Sequence, residues 1–295
     1  MRSATLTAMD DVRPLTPPAS VEHSARILRR ASHPAVRPLL QREHIVMDRR
    51  GPAVAWLQPP QATVTIMIGL RGTLRAANSP PLPEAWVGGL GGDCDAVQMS
   101  GEFSALDVQL TPLGGRALLK LPLHEIAGRV FPLEEILGQP AARMLAAIHD
   151  APLWPDRLNL LDAFLLAQMQ NGPQACPTVL RAWSRLQQTT GRIRIGELSR
   201  EIGCSRRLLE TRFRDDVGLP PKTVARLLRF ASVRQRIDQD RARWADIAYE
   251  HGYCEQAHLN RDFRELAGTT PAEFCTQSQI WQAAAANDAA ILDVP

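Results

Sequence analysis

The sequence lacks the features that mark membrane-spanning and secreted proteins. Its 295 residues contain no apolar run of about 18 residues, the length that a transmembrane helix requires. The first residues carry Asp10 and Asp11 and no apolar stretch, which argues against a secretory signal. We therefore expect a cytoplasmic protein with no part in the membrane.

Residues that bind metals or carry out catalysis are also sparse. The five cysteines are odd in number and form no CxxC pair, which disfavours both a disulfide framework and a zinc ribbon; they are Cys94, Cys176, Cys204, Cys254 and Cys275. The seven histidines form no HxH or HExxH pair, and there is no GxSxG, P-loop or Rossmann pattern. Cys94 lies between Asp93 and Asp95, whose charges disfavour a reactive thiolate. The sequence therefore predicts no enzyme, no metal and no cofactor.

Lysine is nearly absent, and the positive charge is concentrated in one segment. Arginine supplies 32 of the 34 basic residues, and the formal net charge is +3. Residues 176–275 hold 18 basic against 13 acidic residues, residues 1–175 hold 16 of each, and residues 276–295 hold two acidic ones. Since arginine suits forked contacts to phosphate and guanine, residues 176–275 are the segment expected to bind nucleic acid.

The first half of the chain has the pattern of a mixed α+β domain. From Val54 to Leu110, apolar and polar residues alternate between Gly and Pro clusters, which predicts several short strands in a small barrel or sandwich. After Thr111 the period becomes helical. We place a flexible arm at 1–20 and a sensing or oligomerisation domain at 21–172, ending at an Asn-Gly-Pro break.

The second half contains an internal repeat with the pattern of a helix-turn-helix. Residues 198–203 align with 247–252 at an offset of 49, with shared apolar, Glu and Gly positions. Five further positions match at an offset of 50: Leu209, Phe213, Arg214, Gly218 and Pro221 align with Leu259, Phe263, Arg264, Gly268 and Pro271. Each copy is a short amphipathic helix, a glycine turn and a second amphipathic helix.

One helix, Pro220 to Ile237, is predicted between the two copies. Its apolar stripe drifts from Val224 and Leu227 to Phe230 and Val233, so each half can pack on a different copy. The fold prediction is thus an all-α C-terminal domain over 174–280, with two helix-turn-helix motifs joined by a long helix. A disordered or frayed tail is expected at 281–295.

The exposed faces of the second helices provide the candidate DNA contacts. Ser205 suits the N-cap of the first one, with Leu208, Leu209 and Phe213 inward; Ala257, Leu259 and Phe263 are expected inward in the second copy. The candidate DNA-binding residues are therefore the polar ones that remain: Arg206, Arg207, Glu210, Thr211 and Arg214, then Gln256, His258, Asn260, Arg261 and Arg264. The acidic Glu210 does not suit a simple phosphate contact.

Residues from about 178 to 278 resemble the DNA-binding domain of AraC/XylS-type transcription regulators. The resemblance is carried by the repeat, its spacing, the joining helix and three segments: 246–253, 256–264 and 268–271. It implies sequence-specific reading of two adjacent major-groove segments. Cys254 departs from the pattern, because it stands where a small hydroxyl residue is expected as N-cap.

The N-terminal half resembles the sensing domains of one branch of this family. The resemblance lies in the run 110–115, Leu-Thr-Pro-Leu-Gly-Gly, with the leucines that follow it. It implies effector sensing or self-association. Together the two resemblances imply an activator with four partners: double-stranded DNA, RNA polymerase, a small-molecule effector and a second copy of the chain. A pocket is expected near Trp56, Met67, Trp86 and Met99. A small-molecule-binding or catalytic barrel recruited to nucleic acid by its basic domain remains the alternative.

Overall fold

A computed structural model of the chain describes residues 24–76, 79–170, 172–237, 243–276 and 289–293. Strands fill the first part of this chain and helices the second, as the sequence predicts. The arm predicted at 1–20 lies outside the described residues. Within the described residues, no helix is both long and apolar enough to cross a membrane.

In the part of the chain that the structure describes, ten strands form two sheets. In chain order they are β1 Ser24–Arg30, β2 His44–Arg50, β3 Val54–Gln58, β4 Val64–Arg71, β5 Leu74–Ala76, β6 Ala85–Gly88, β7 Asp95–Met99, β8 Glu102–Leu110, β9 Val130–Pro132 and β10 Ala289–Asp293. The larger sheet has the order β10-β1-β2-β8-β4-β6-β9 and the smaller one β3-β7-β5. Over the described strands neither sheet closes on itself, so the architecture is two open sheets. Of the two predicted strand arrangements, barrel or sandwich, the closed barrel is wrong.

The space between the sheets is filled by one apolar cluster. Met67, Met99, Phe103 and Ala105 are its buried members, and the side chains packed against them include Trp56 and Trp86. The four residues predicted to surround a pocket therefore lie together in this packed layer. The other face of the larger sheet, with Ile66, Leu106 and Val108 on it, is covered by helices.

The helices follow the sheet in sequence. Their bounds are α1 Pro112–Leu119, α2 Leu133–Leu137, α3 Gln139–Asp150, α4 Trp154–Met169, α5 Pro177–Gln188, α6 Ile195–Ile202, α7 Arg206–Val217, α8 Pro221–Ile237, α9 Trp244–Glu250 and α10 Gln256–Ala267. Residues 271–276 are also helical. The hydroxyl oxygen of Thr111 caps α1 by accepting a hydrogen bond from Gly114 N at 3.1 Å, which accounts for the Thr-Pro start of this helix.

The apolar core runs without a break from the sheet into the first helices of the C-terminal half. It includes Val108, Leu118, Leu186 and Phe213. Helix α4 ends at Met169 and α5 begins at Pro177, around the predicted boundary at 172–174. That boundary stays a prediction, because the packing does not divide the chain there.

The end of the chain differs from the prediction. Residues 289–293, placed in a disordered or frayed tail, form β10, which pairs in parallel with β1 in the register Ala25 to Ala289. The hydrogen bonds of this ladder satisfy backbone groups of Ala289–Asp293. A distant pairing of this kind cannot be read from local composition.

Candidate nucleic-acid interface

The first copy of the repeat forms a helix-turn-helix, which we call the first module (α6 and α7). Gly203 occupies the turn with φ +76°, a left-handed conformation that glycine adopts without strain. The Ser205 side chain then accepts a hydrogen bond from Leu208 N at 3.2 Å and caps α7, as the sequence predicts. Leu209 and Phe213 are fully buried beneath the helix.

The outer face of α7 carries the five residues predicted for the first copy. All of them are exposed: Arg206, Arg207, Glu210, Thr211 and Arg214. The Thr211 hydroxyl donates to Arg207 O at 3.0 Å, so its oxygen as an acceptor and its methyl group are left for an outside contact. Two arginines at the start of the helix and one in its last turn form a face suited to bases and phosphates.

Leu208 is a residue that sequence reasoning placed wrongly. It was expected to point inward, yet 40% of it is exposed on α7. Leu209 and Phe213 fill the inner face, and a helix turns by about 100° between neighbours, which carries Leu208 away from that face. An exposed leucine on this face suits apolar contact with a thymine methyl group.

The second copy forms the second module (α9 and α10). Gly252 occupies its turn with φ +77°, and Leu259 and Phe263 are fully buried. Helix α10 has no side-chain cap at its start, and its N-cap residue is Glu255, one position after the expected Cys254. Ala257, expected inward, is exposed, because the core beneath α10 is occupied by larger side chains.

The candidate contacts on α10 differ in exposure. Gln256, Arg261 and Arg264 are exposed, whereas His258 and Asn260 are half-buried. The His258 ring packs edge-on against Tyr253, with ring centroids 5.1 Å apart. His258 therefore has a packing role, which makes it a weaker candidate for a DNA contact than its exposed neighbours.

Helix α8 joins the modules and divides its apolar stripe between them. Val224 and Ala225 belong to the core shared with the first module, whereas Phe230 and Val233 belong to a separate core with the second module. This is the division that the drifting stripe predicts. Phe230 and Phe263 stack in a tilted arrangement with centroids 4.6 Å apart.

An ion-pair network holds α10 against α8. Arg226 Nε donates to Asp262 Oδ1 at 2.7 Å, and Arg226 also pairs with Glu265. Burial opposes the charge of Arg226, but these carboxylates outweigh it and raise the pKa of the guanidinium above its usual value. Asp262 thus stabilises the packing of α10 on α8, while Arg261 and Arg264 remain exposed on the outward face of α10.

Further arginines lie beside the first module, outside the predicted set. A cleft of about 770 Å³ between α5 and α6 is lined by Arg185, Arg192, Arg200, Glu197 and Glu201, among others. Arg185 Nε and Glu201 Oε1 pair at 2.9 Å. The cleft therefore has mixed charge, and the excess of arginine adds to the positive surface of this half.

Two titratable groups near the second module have pKa values shifted mainly by burial. Burial, with the charge of Asp95, raises the pKa of the Cys94 thiol to about 11 against the opposing effect of Arg234, which confirms that this cysteine is a poor thiolate. Burial also lowers the pKa of His251, whose Nδ1 lies 2.8 Å from Ser232 Oγ. His251 is therefore suited to a neutral structural role.

Comparison with known proteins identifies the domain. Residues 198–277 match the family model described as a helix-turn-helix domain. This match spans both modules and α8, and the resemblance of this segment to AraC-type DNA-binding domains is confirmed. No curated protein matches the sequence.

The comparison with solved structures found several that are similar to this chain at low identity, among them the following three. ToxT from Vibrio cholerae O395 shares 12% identity, with a TM-score of 0.43 over 79% of this chain and 96% of that one. Unsaturated fatty acid bound ToxT from strain SCE256 has 12% identity and a TM-score of 0.45 over 79% and 94%. The AraC-like transcriptional activator CuxR has 14% identity and a TM-score of 0.26 over 65% and 76%.

Proposed function

Because residues 198–277 form an AraC-type helix-turn-helix domain, we propose that this chain is a sequence-specific DNA-binding transcription regulator that reads two adjacent major-groove segments. The observation that carries the proposal is that α7 and α10 both present exposed candidate contacts. Each follows a glycine turn and presents arginine or amide side chains to solvent. The positive excess of residues 176–275 supports the same partner, because phosphate contacts dominate DNA affinity.

The chemistry of the two faces supports a division of roles among their residues. Arg206 and Arg207 read or anchor the first cluster of bases. Gln256, Asn260 and Arg261 do so for the second cluster, since Gln and Asn suit adenine and Arg suits guanine. The remaining candidates are assigned to the sugar-phosphate backbone or to the helix surface: Glu210, Thr211, Arg214, His258 and Arg264.

The length of α8 supports a spacing of about one helical turn between the clusters. Its 17 residues span about 25 Å at 1.5 Å each. With the width of the modules added, this strut suits recognition elements about 34 Å apart on one side of the duplex.

The N-terminal half controls this domain in our proposal. The support is that it touches the end of α7 directly. Arg116 Nε lies 3.5 Å from Asp216 Oδ1, and His124 Nδ1 lies 3.3 Å from Asp215 Oδ1. An effector bound in the N-terminal half would act through these contacts on the first module. RNA polymerase and a second copy of the chain complete the proposed set of partners of an activator.

The test is a binding selection with the full chain on a random duplex library, followed by titration of two variants. Arg207→Ala should cost about 1–3 kcal/mol and relax base preference in one cluster only, because a bidentate base contact is lost. Gln256→Ala should relax the other cluster. Arg143→Ala, at an exposed position of α3, is the control and should leave both clusters intact.

Arg214→Ala and Arg264→Ala should instead weaken binding to all sequences about equally, because phosphate contacts carry no sequence information. Absence of any enriched sequence would contradict the proposal. So would a selection in which Arg207→Ala and Gln256→Ala relax the same bases, since only one module would then read DNA.

A further inference from the structure

The two modules are linked by one arginine that neither helix-turn-helix motif includes. Arg192 lies in the loop between α5 and α6. Its Nη1 donates to Glu250 O, the last residue of α9, at 3.2 Å. Its Nε donates to Thr189 O, in its own loop, at 3.1 Å. The guanidinium thus joins the loop that leads into the first module to the end of the first helix of the second.

The stem of Arg192 covers the turn of the second module. A Cβ placed on Gly252 would lie 2.8 Å from Arg192 Cγ and 3.2 Å from its Cδ. The glycine therefore gives the turn its positive φ and also admits the arginine stem. The stem thus packs on the turn at Gly252, and the guanidinium binds the carbonyl of Glu250 just before it.

The loop that holds Arg192 is itself fixed on α8. Arg229 Nη1 of α8 donates to Gly191 O at 2.8 Å, and the backbone of Gly191 packs closely on the carbonyl of Ala225. The loop, α8 and the end of α9 therefore meet at one point. That point lies between the two cores that α8 serves.

A contact at this point sets the angle between the modules about α8. The second module packs on the far half of α8 through Phe230 and Val233, and these apolar contacts are not directional. The ion pairs of Arg226 hold α10 on α8, but they do not reach the end of α9, where Arg192 binds. Hydrogen bonds to backbone carbonyls are directional. A small rotation of the second module would move α10 along the groove relative to α7, and one base pair along B-DNA is only about 3.4 Å.

We propose that Arg192 is a positioning residue that sets the base-pair spacing at which the two modules read DNA. This inference rests on the proposed function, because spacing has meaning only if both modules bind one duplex. Arg192 needs no contact with DNA for this role. Its loss should change which spacings are accepted while the preferred bases in each cluster stay the same.

The experiment uses the full chain and duplexes built from its selected sequence, with the two clusters at the selected spacing or one or two base pairs closer or farther. Arg192→Met keeps an apolar stem over Gly252 and removes both donors. The ratio of affinities between the selected and shifted spacings should fall about three- to tenfold, as expected for loss of one or two net hydrogen bonds. Selection with the variant should return the same bases at a broader range of spacings.

Two further variants separate this role from charge and from folding. Arg181→Met, at an exposed position of α5, removes the same charge and should leave the spacing ratio unchanged. Arg229→Met removes the bond that holds the loop on α8 and should lower the ratio in the same direction, which keeps the proposal testable if Arg192→Met folds poorly.

An unchanged ratio in both Arg192→Met and Arg229→Met would overturn the inference. An equal loss of affinity at every spacing, shared by Arg181→Met, would also overturn it, because it would assign Arg192 a general electrostatic effect. If the unmodified chain selects a single short cluster, or no sequence at all, the proposed function itself fails. Failure of the proposed function is thus seen in the unmodified chain, and failure of the spacing inference only in the variants.

Discussion

Arg206 illustrates how a neighbouring backbone can direct a side chain. Its guanidinium lies on Gly196, in the first turn of α6, where an added Cβ would clash with Nη2 and lie 3.1 Å from Cζ. Glycine at position 196 therefore allows Arg206 to lie flat across the junction of α6 and α7.

Gly196→Ala should move Arg206 without unfolding the domain. The added methyl group would meet the far end of a flexible side chain, which can move away, and alanine favours helix over glycine. We expect an unchanged or slightly higher melting temperature together with weaker DNA binding. Equilibrium binding to the selected duplex and a thermal melt of the same samples measure the two effects.

The matched comparison is Gly196→Ala in an Arg206→Ala background. If the methyl group acts only through the arginine, it should change binding very little there, and the cycle should show coupling between the two positions. Additive losses would mean that Gly196 contributes to DNA binding in another way. A large fall in melting temperature would show that the first turn of α6 cannot accept a Cβ.

At the scale of elements, the two modules are alike in sequence but differ in support. Phe213 is buried in the core that continues into the N-terminal half. Phe263 is buried in a smaller core that α8 shares with the second module, where it packs against Phe230 and, at 5.9 Å between centroids, Phe274. The same position of the repeat therefore supports different parts of the molecule.

The substitutions Phe213→Ala and Phe263→Ala should each cost about 3–5 kcal/mol, because each ring is fully buried. They should differ in where the loss is felt. Phe263→Ala should raise hydrogen exchange in α9, α10, residues 271–276 and the second half of α8, which share its core. Phe213→Ala should instead raise it in α7 and in the N-terminal half. A variant that melts like the parent would contradict the alignment of the repeat.

The sequence predicts most of this C-terminal architecture because its determinants are local. The Ser205 cap, the glycine turns and the drifting stripe of α8 each depend on spacing within a few residues, and all are found. Leu208 was misplaced because periodicity cannot decide which of two adjacent leucines is buried. The role of Arg192 could not be predicted, since its acceptor, Glu250 O, is 58 residues away in sequence.

The N-terminal half shows the same limit more clearly. Alternating residues predict strands, but they do not specify whether the strands close into a barrel or form two open sheets. The strand at 289–293 depends on a partner near the start of the chain, at Ser24–Arg30. Helix α1 could be predicted because the change to a helical period after Thr111 is a local signal.

At the scale of the whole molecule, the first module is held by the N-terminal half. Asp216, near the end of α7, pairs with Arg116 of α1 and accepts a hydrogen bond from Cys176 N at 3.1 Å. The Arg116 and Asp216 side chains are 18% and 14% exposed. Leu123 packs against Gly218 just beyond the helix, so motion of the N-terminal half must be felt at α7.

Asp216→Asn should weaken this link, because the charge of Arg116 would be left partly buried without its counter-charge. The amide oxygen of asparagine can still accept from Cys176 N, so the loss reports the ion pair. We expect the free energy of unfolding to fall by about 1–3 kcal/mol. Replacing both residues, with Arg116→Met added, should recover part of the loss, because no unpaired charge remains.

Denaturant unfolding of the single and double variants measures this coupling, and hydrogen exchange locates it. Because the apolar core is continuous from the sheet to Phe213, α7 and the N-terminal half should lose protection together in Asp216→Asn, while α10 keeps it. Equal loss of protection in α10 would mean that the ion pair supports the whole C-terminal domain. An Asp216→Asn variant as stable as the parent would show that Arg116 needs no counter-charge. The coupling between the N-terminal half and the first module would then rest on Leu123 and its apolar neighbours alone.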